Sequence, residues 1–113
     1  MKNFVIRTSL PLLFIPALAI ASGSTWHTAK ISRIYPLANG SIVLTLDKDS
    51  DECKYASSPK YYNLSVGNNG VTEAGIKNIY SAALAGASSG KDVSINFDSD
   101  SQDCYINRLY INY

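Results

Sequence analysis

Residues 72–97 read TEAGIKNIYSAALAGASSGKDVSINF, and within them the hydrophobic period changes from that of a helix to that of a strand. Ile76, Ile79, Tyr80, Ala83, Leu84 and Ala87 recur at steps of three and four, which stacks them along one helical face. Thr72 stands where a hydroxyl can cap the first free amides, and Glu73 where the helix dipole favours an anion. Gly90 can take the left-handed conformation that ends a helix. Beyond it Val93, Ile95 and Phe97 alternate with Ser94 and Asn96, the two-residue period of a half-buried strand.

The flanks supply strands only. Trp26 to Pro36 reads as a first strand with mixed faces, because Ala29, Ile31 and Arg33 alternate with Lys30, Ser32 and Ile34. Pro36 and Asn39-Gly40 make a hairpin turn. Ser41 to Asp47 follows as a second strand with Ile42, Leu44 and Leu46 on one face. Lys48 to Pro59 is a polar loop. Tyr61 to Val66 alternates through Tyr62, Leu64 and Val66 as a third strand, which Gly67-Asn68-Asn69-Gly70 breaks. Asp92 to Phe97 is the fourth strand. After the polar turn Asp98 to Asp103, a fifth runs from Cys104 to the terminus. Ile106 lies on one parity of that strand and Leu109 and Ile111 on the other, so a bulge is expected near Asn107-Arg108.

The order is β-β-β-α-β-β: mainly β with one helix, and the connectivity of a five-stranded OB-fold-like barrel whose helix plugs one end. An open α+β sheet with the helix on one face is the alternative.

The N-terminus stands apart from this pattern. Lys2 and Arg7 precede an apolar run from Leu10 to Ile20, and Ala19-Ile20-Ala21 offers the small residues of a cleavage site. Residues 1–21 are therefore expected to be a signal peptide, and 22–113 a single small domain in the periplasm or medium. A membrane span would need about 20 uninterrupted apolar residues, and Pro11 and Pro16 interrupt this shorter run. Without Lys2 and Arg7 the chain carries eight basic and nine acidic residues, a net charge of −1. That balance lacks the footprint for nucleic acid or for anionic lipid. In an exported chain the isolated pair Cys53 and Cys104 reads as one disulfide.

Chemistry is sparse. His27 is the one histidine, without an evident orienting partner, and no serine or cysteine sits in a nucleophile context. Asp47, Asp49, Asp51 and Glu52 precede Cys53, and Asp98, Asp100 and Asp103 precede Cys104. A disulfide would gather these carboxylates, but the glycine and terminal glutamate of a calcium loop are missing, and solvated acidic turns account for them. No enzyme activity, cofactor or metal is expected. For binding, the candidates are Trp26, Thr28, Tyr35, Phe97 and Arg108, with Tyr61 and Tyr62 beside them. Aromatic faces can stack on sugar rings, and a guanidinium can pair with a carboxylate. The rival account makes Tyr62 and Phe97 core residues by parity and Arg108 an edge charge.

The run Ile79-Tyr80, Ala83-Leu84, Ser88-Ser89-Gly90-Lys91, Val93 and Ile95 resembles the helix-to-strand segment of subtilase-cytotoxin-type B subunits. With an early tryptophan, Trp26, and a hairpin turn containing Asn39, it is similar more broadly to the pertussis-toxin-type B subunits. That resemblance implies an exported OB-fold that binds cell-surface glycans, often sialylated, and assembles as a homo-pentamer. In the family a sugar-contacting tyrosine ends the fourth strand, where this chain has Phe97, and a serine near the first strand corresponds loosely to Thr28. The expectation is thus a secreted, non-catalytic, glycan-recognising toxin-type B subunit. The alternative is a periplasmic enzyme inhibitor or accessory protein that binds a protein partner.

Overall fold

The structure, a computed structural model, describes residues 23–113; the expected signal peptide, residues 1–21, lies outside them. The elements run β1 (Ser24–Pro36), β2 (Ile42–Leu46), β3 (Tyr62–Leu64), α1 (Glu73–Ser89), β4 (Asp92–Asp98) and β5 (Ile106–Ile111). All strand pairs are antiparallel, in the order β3-β2-β1-β4-β5. The described residues are mainly β, with one helix and an open five-stranded sheet.

Long β1 joins the two halves of the sheet. Ser24 to Lys30 pair with β4, and Ile31 to Pro36 pair with β2. An irregularity at Ser32 separates Ile31↔Leu46 from Arg33↔Thr45, so Ile31 and Ile34 both pack on the core despite their opposite parity. That is the physical origin of the mixed faces. The same device operates in β5. Asn96 pairs with Arg108 but Phe97 with Ile106, leaving Asn107 as the extra residue at the expected place.

The inner face carries Leu44, Leu64, Tyr62, Val93, Ile95, Phe97 and Ile106, each fully buried. Tyr62 and Phe97 meet edge to face, with ring centroids 5.5 Å apart. The Tyr62 hydroxyl accepts from the Ser50 amide at 2.9 Å and donates to Asp49 Oδ1 at 3.3 Å, so a core side chain also anchors the long β2–β3 loop. Burial is the main cause that pushes this phenol up to about 12.

Helix α1 begins and ends as its sequence dictates. Thr72 Oγ1 accepts from the Gly75 amide at 2.9 Å. Gly90, at φ +67°, donates to Ala87 O while Lys91 donates to Gly86 O, which satisfies two of the last carbonyls. The buried face differs from the expected one: Ile76, Ala83 and Gly86 are buried, whereas Leu84 is 40% exposed. The helix approaches the sheet at Gly86, where a Cβ would stand 2.6 Å from Val93 Cγ1. So close a crossing turns the Ala83–Gly86 stripe inward and leaves Leu84 on the flank. Cys53 and Cys104 form a disulfide with a Cα–Cα distance of 5.6 Å, closing a separation of 51 residues.

Candidate functional site

The outward face of the β1-β4-β5 half follows from strand register. Trp26, Asn96 and Arg108 form one row across three strands, and Thr28, Ser94 and Tyr110 form the next. Ser24 and Asp98 flank the first row, and Lys30 and Asp92 flank the second. Partners across an antiparallel pair share a face, so these side chains are neighbours.

Trp26 is 49% exposed and Tyr110 52% exposed, yet they touch each other, with ring centroids 5.4 Å apart at a tilt of 52°. The Arg108 guanidinium carbon lies 5.5 Å from the centre of the Trp26 ring, in reach of cation–π attraction. To meet Trp26, Arg108 spans the strand between them, so the pair roofs Asn96. Beneath this cover Ser94 and Asn96 are buried. Thr28 Oγ1 and Ser94 Oγ are 2.7 Å apart, and Asn112 Nδ2 donates to Ser94 Oγ at 3.1 Å. Asn96 Nδ2 donates to Ser24 Oγ at 3.1 Å, and Ser24 Oγ in turn lies 3.3 Å from Asn96 Oδ1. The face is therefore aromatic and cationic on top and amide and hydroxyl below. It ends at the exposed Lys30–Asp92 ion pair, 2.7 Å long.

A polar pocket of about 380 Å³ opens beside the first row, lined by Ser24, Asn96, Asp98, Asp100, Asn107 and Arg108 among others. A larger cleft, about 510 Å³, lies between α1 and the ends of β2 and β3. It is lined by Ser41, Ile42, Ser65 and Val66 among others, with Glu73, Ile76, Lys77 and Tyr80 from the helix.

Of the five expected binding residues, the sheet brings three together: Trp26, Thr28 and Arg108. Phe97 is fully buried, because it shares the inward parity of Val93 and Ile95, and its ring packs on Tyr62. It belongs to the core and has no place on the surface that Trp26 occupies. Tyr35 lies beyond the Ser32 bulge and pairs with β2, where it joins a second aromatic group. Its ring is 5.5 Å from that of Tyr61, which stacks on Tyr55 at 5.0 Å and 15°. Arg33 donates to the Tyr35 hydroxyl at 3.0 Å; that bond raises the Arg33 pKa and lowers that of Tyr35.

Sequence reading missed Tyr110, Ser94, Asn96 and Asn112. Their signal was available: Arg108, Tyr110 and Asn112 alternate with Leu109 and Ile111, so a fifth strand with an inward apolar face must show this triplet outward. His27 Nε2 donates to the Lys48 carbonyl at 2.7 Å. Several acidic residues tie backbone amides in place: Asp47 accepts from Lys30 N, Asp49 from Lys60 N and Asp98 from Asp100 N. Among the described residues no three acidic, histidine or cysteine side chains converge closely enough to hold a metal ion.

No family model, curated protein or solved structure matches the chain.

Proposed function

We propose that the chain is a non-catalytic binding module that recognises carbohydrate on the outward face of β1, β4 and β5. The observation that carries this reading is the half-exposed Trp26, held by Arg108 and Tyr110 over a row of buried hydroxyl and amide side chains. A sugar ring offers C–H faces that stack on an aromatic and hydroxyls that exchange hydrogen bonds with amides, guanidinium and carboxylates. His27, engaged with a backbone carbonyl, contributes nothing to the site.

The finer architecture belongs to the same proposal. Asn63, in β3, donates through its amide and its side chain to Asp103 O at 3.4 and 2.8 Å. These bonds join the third strand to the approach of the fifth and support an OB-fold-like closure of the sheet. The disulfide is compatible with an extracellular or periplasmic location. So is the observation that, among the described residues, no helix is long and apolar enough to cross a membrane. A toxin-type B subunit in a ring of five is the fullest version of this reading, and the mass of the mature protein in solution tests that part.

A glycan array probed with the wild-type protein and with Trp26→Ala tests the binding. Specific signal that disappears in the variant supports the proposal. Array-wide silence, together with a protein that co-purifies and is released by Tyr61→Ala, overturns it. That outcome would favour an inhibitor or accessory protein docking through the Tyr35–Tyr61–Tyr55 group, the surface feature that sustains the second reading.

A further inference from the structure

We infer that Asn39 is a site of covalent modification. It converts to aspartate and isoaspartate through a succinimide formed with Gly40, ahead of the chain's other Asn-Gly pair, Asn69-Gly70. The step needs no enzyme and no oxidant. The Gly40 backbone nitrogen gives up its proton to water and bonds to Asn39 Cγ. The Cγ–Nδ2 bond breaks, and Nδ2 takes up a proton and leaves as ammonia. Water then opens the five-membered ring. Scission at Cγ restores the main chain with an aspartate. Scission at the backbone carbonyl of residue 39 leaves an isoaspartate, whose main chain runs through the former side chain. Either branch consumes one water and releases one ammonia.

The turn between β1 and β2 suits this chemistry. Leu37, Ala38, Asn39 and Gly40 are all exposed. Gly40, at φ +90°, has nothing within 4 Å of where a Cβ would stand, so the attacking nitrogen is shielded neither by its own residue nor by neighbours. Ser41 N donates to Asn39 Oδ1 at 3.0 Å. That bond polarises the carbonyl under attack and places a donor on the oxygen where negative charge develops. The turn itself is held by Gly40 N donating to Leu37 O at 3.0 Å and Leu37 N donating to Ser41 O at 2.7 Å. Both bonds begin and end inside the turn, so its tip can open to water while the sheet stays paired.

Asn69 has the same local sequence chemistry in a different setting. Its Nδ2 donates to Tyr105 O at 2.8 Å, and its own carbonyl accepts from Asn107 Nδ2 at 2.6 Å. Two bonds therefore tie it to the start of β5, and Val71 close behind it is buried. Turning Cγ of Asn69 toward Gly70 breaks a bond to a distant strand, which the turn at Asn39 never has to do. The outcome at Asn39 also reaches the larger cleft. Asn39 lines that cleft, whose charged lining residues are Glu73 and Lys77. A carboxylate at position 39 makes a balanced lining net negative, and the isoaspartate branch adds a methylene to the main chain beside the Pro36↔Ile42 pair.

Wild-type protein held in mildly alkaline buffer is digested at intervals, and its peptides are followed by mass spectrometry with fragmentation that separates isoaspartate from aspartate. The Asn39 peptide should convert about tenfold faster than the Asn69 peptide, a barrier difference of about 1.4 kcal/mol, and should yield both products. The same incubation in concentrated guanidinium should bring the two rates together, since neither turn then holds its asparagine. In Asn39→Gln, whose longer side chain must close a six-membered ring, the early acidic form should vanish from ion exchange. Equal rates in the folded protein, or a faster Asn69, overturn the assignment. Aspartate without isoaspartate overturns the succinimide route. A rate ratio that persists in guanidinium moves the cause from the fold to the flanking residues and overturns the structural argument.

Discussion

Two aromatic groups sit on the outward face of one sheet, and what lies beneath them differs. Trp26 and Tyr110, with Arg108, cover Ser94 and Asn96, which are polar. Tyr35, Tyr61 and Tyr55 gather beside β2, whose outward residues Val43 and Thr45 are buried as deeply as its inward ones. Tyr35 pairs directly with Val43, so the tyrosines close an apolar strand against water and act as packing. Aromatic residues over polar ones set a stacking face beside hydrogen-bonding side chains, and that is the combination the proposed binding reading uses. Surface aromatics are therefore told apart by the residues they hide.

The largest perturbation should test what ties the two regions together. Cys53 belongs to the loop that carries Tyr55, and Cys104 to the approach of the strand that carries Arg108 and Tyr110. Replacing both cysteines with serine should destabilise the fold by about 4 kcal/mol, the chain-entropy value for a loop of this length. Denaturant unfolding measures it; an unchanged midpoint would mean that the two regions hold together without the bridge.

Tyr62→Phe should follow at about 1–3 kcal/mol, since it leaves the Ser50 amide without its acceptor in the interior. Its pH dependence has a definite sign. The folded-state value of about 12 lies above the ordinary tyrosine value of about 10, so the stability held by the protonated phenol is complete below pH 10. It is lost as pH rises through 12. The wild type should lose stability over that window more steeply than Tyr62→Phe, and parallel alkaline curves would refute the assignment.

A pair of variants then separates packing from binding. Tyr61→Ala removes two ring contacts, each worth about 0.5–1.5 kcal/mol, and should cost stability while leaving sugar binding alone. Trp26→Ala should cost about 2–3 kcal/mol for the half of its surface that is buried, and abolish binding. The reverse pattern would exchange the roles of the two regions. The smallest effect belongs to Leu84→Ala. Lying on the flank of the helix, it should stay below about 1 kcal/mol, well short of the 2–5 kcal/mol typical of a buried leucine. A larger loss would place that flank in a contact absent from the single chain.

Much of this was legible in local patterns. The cap at Thr72, the stop at Gly90, the Asn39-Gly40 turn and the alternation of β2 and β4 are local, because capping, turn conformation and strand parity depend on residues a few positions apart. The bulge at Asn107 was also readable, since apolar residues cannot switch parity without an extra residue. The buried state of Phe97 followed from the alternation of its own strand. It was the resemblance to toxin B subunits, applied position by position, that placed it at the surface.

What the sequence by itself determined was the order and type of the elements, the cysteine pair and the inward faces of the strands, all set by short-range periodicity. Which face of α1 meets the sheet was decided only in three dimensions. The missing side chain of Gly86 lets the backbone approach Val93, and so turns Leu84 aside. The meeting of Trp26, Asn96 and Arg108 was likewise a tertiary result. Those residues are 70 and 12 positions apart along the chain, and only the register of three strands, displaced by one residue at Asn107, places them in a single row.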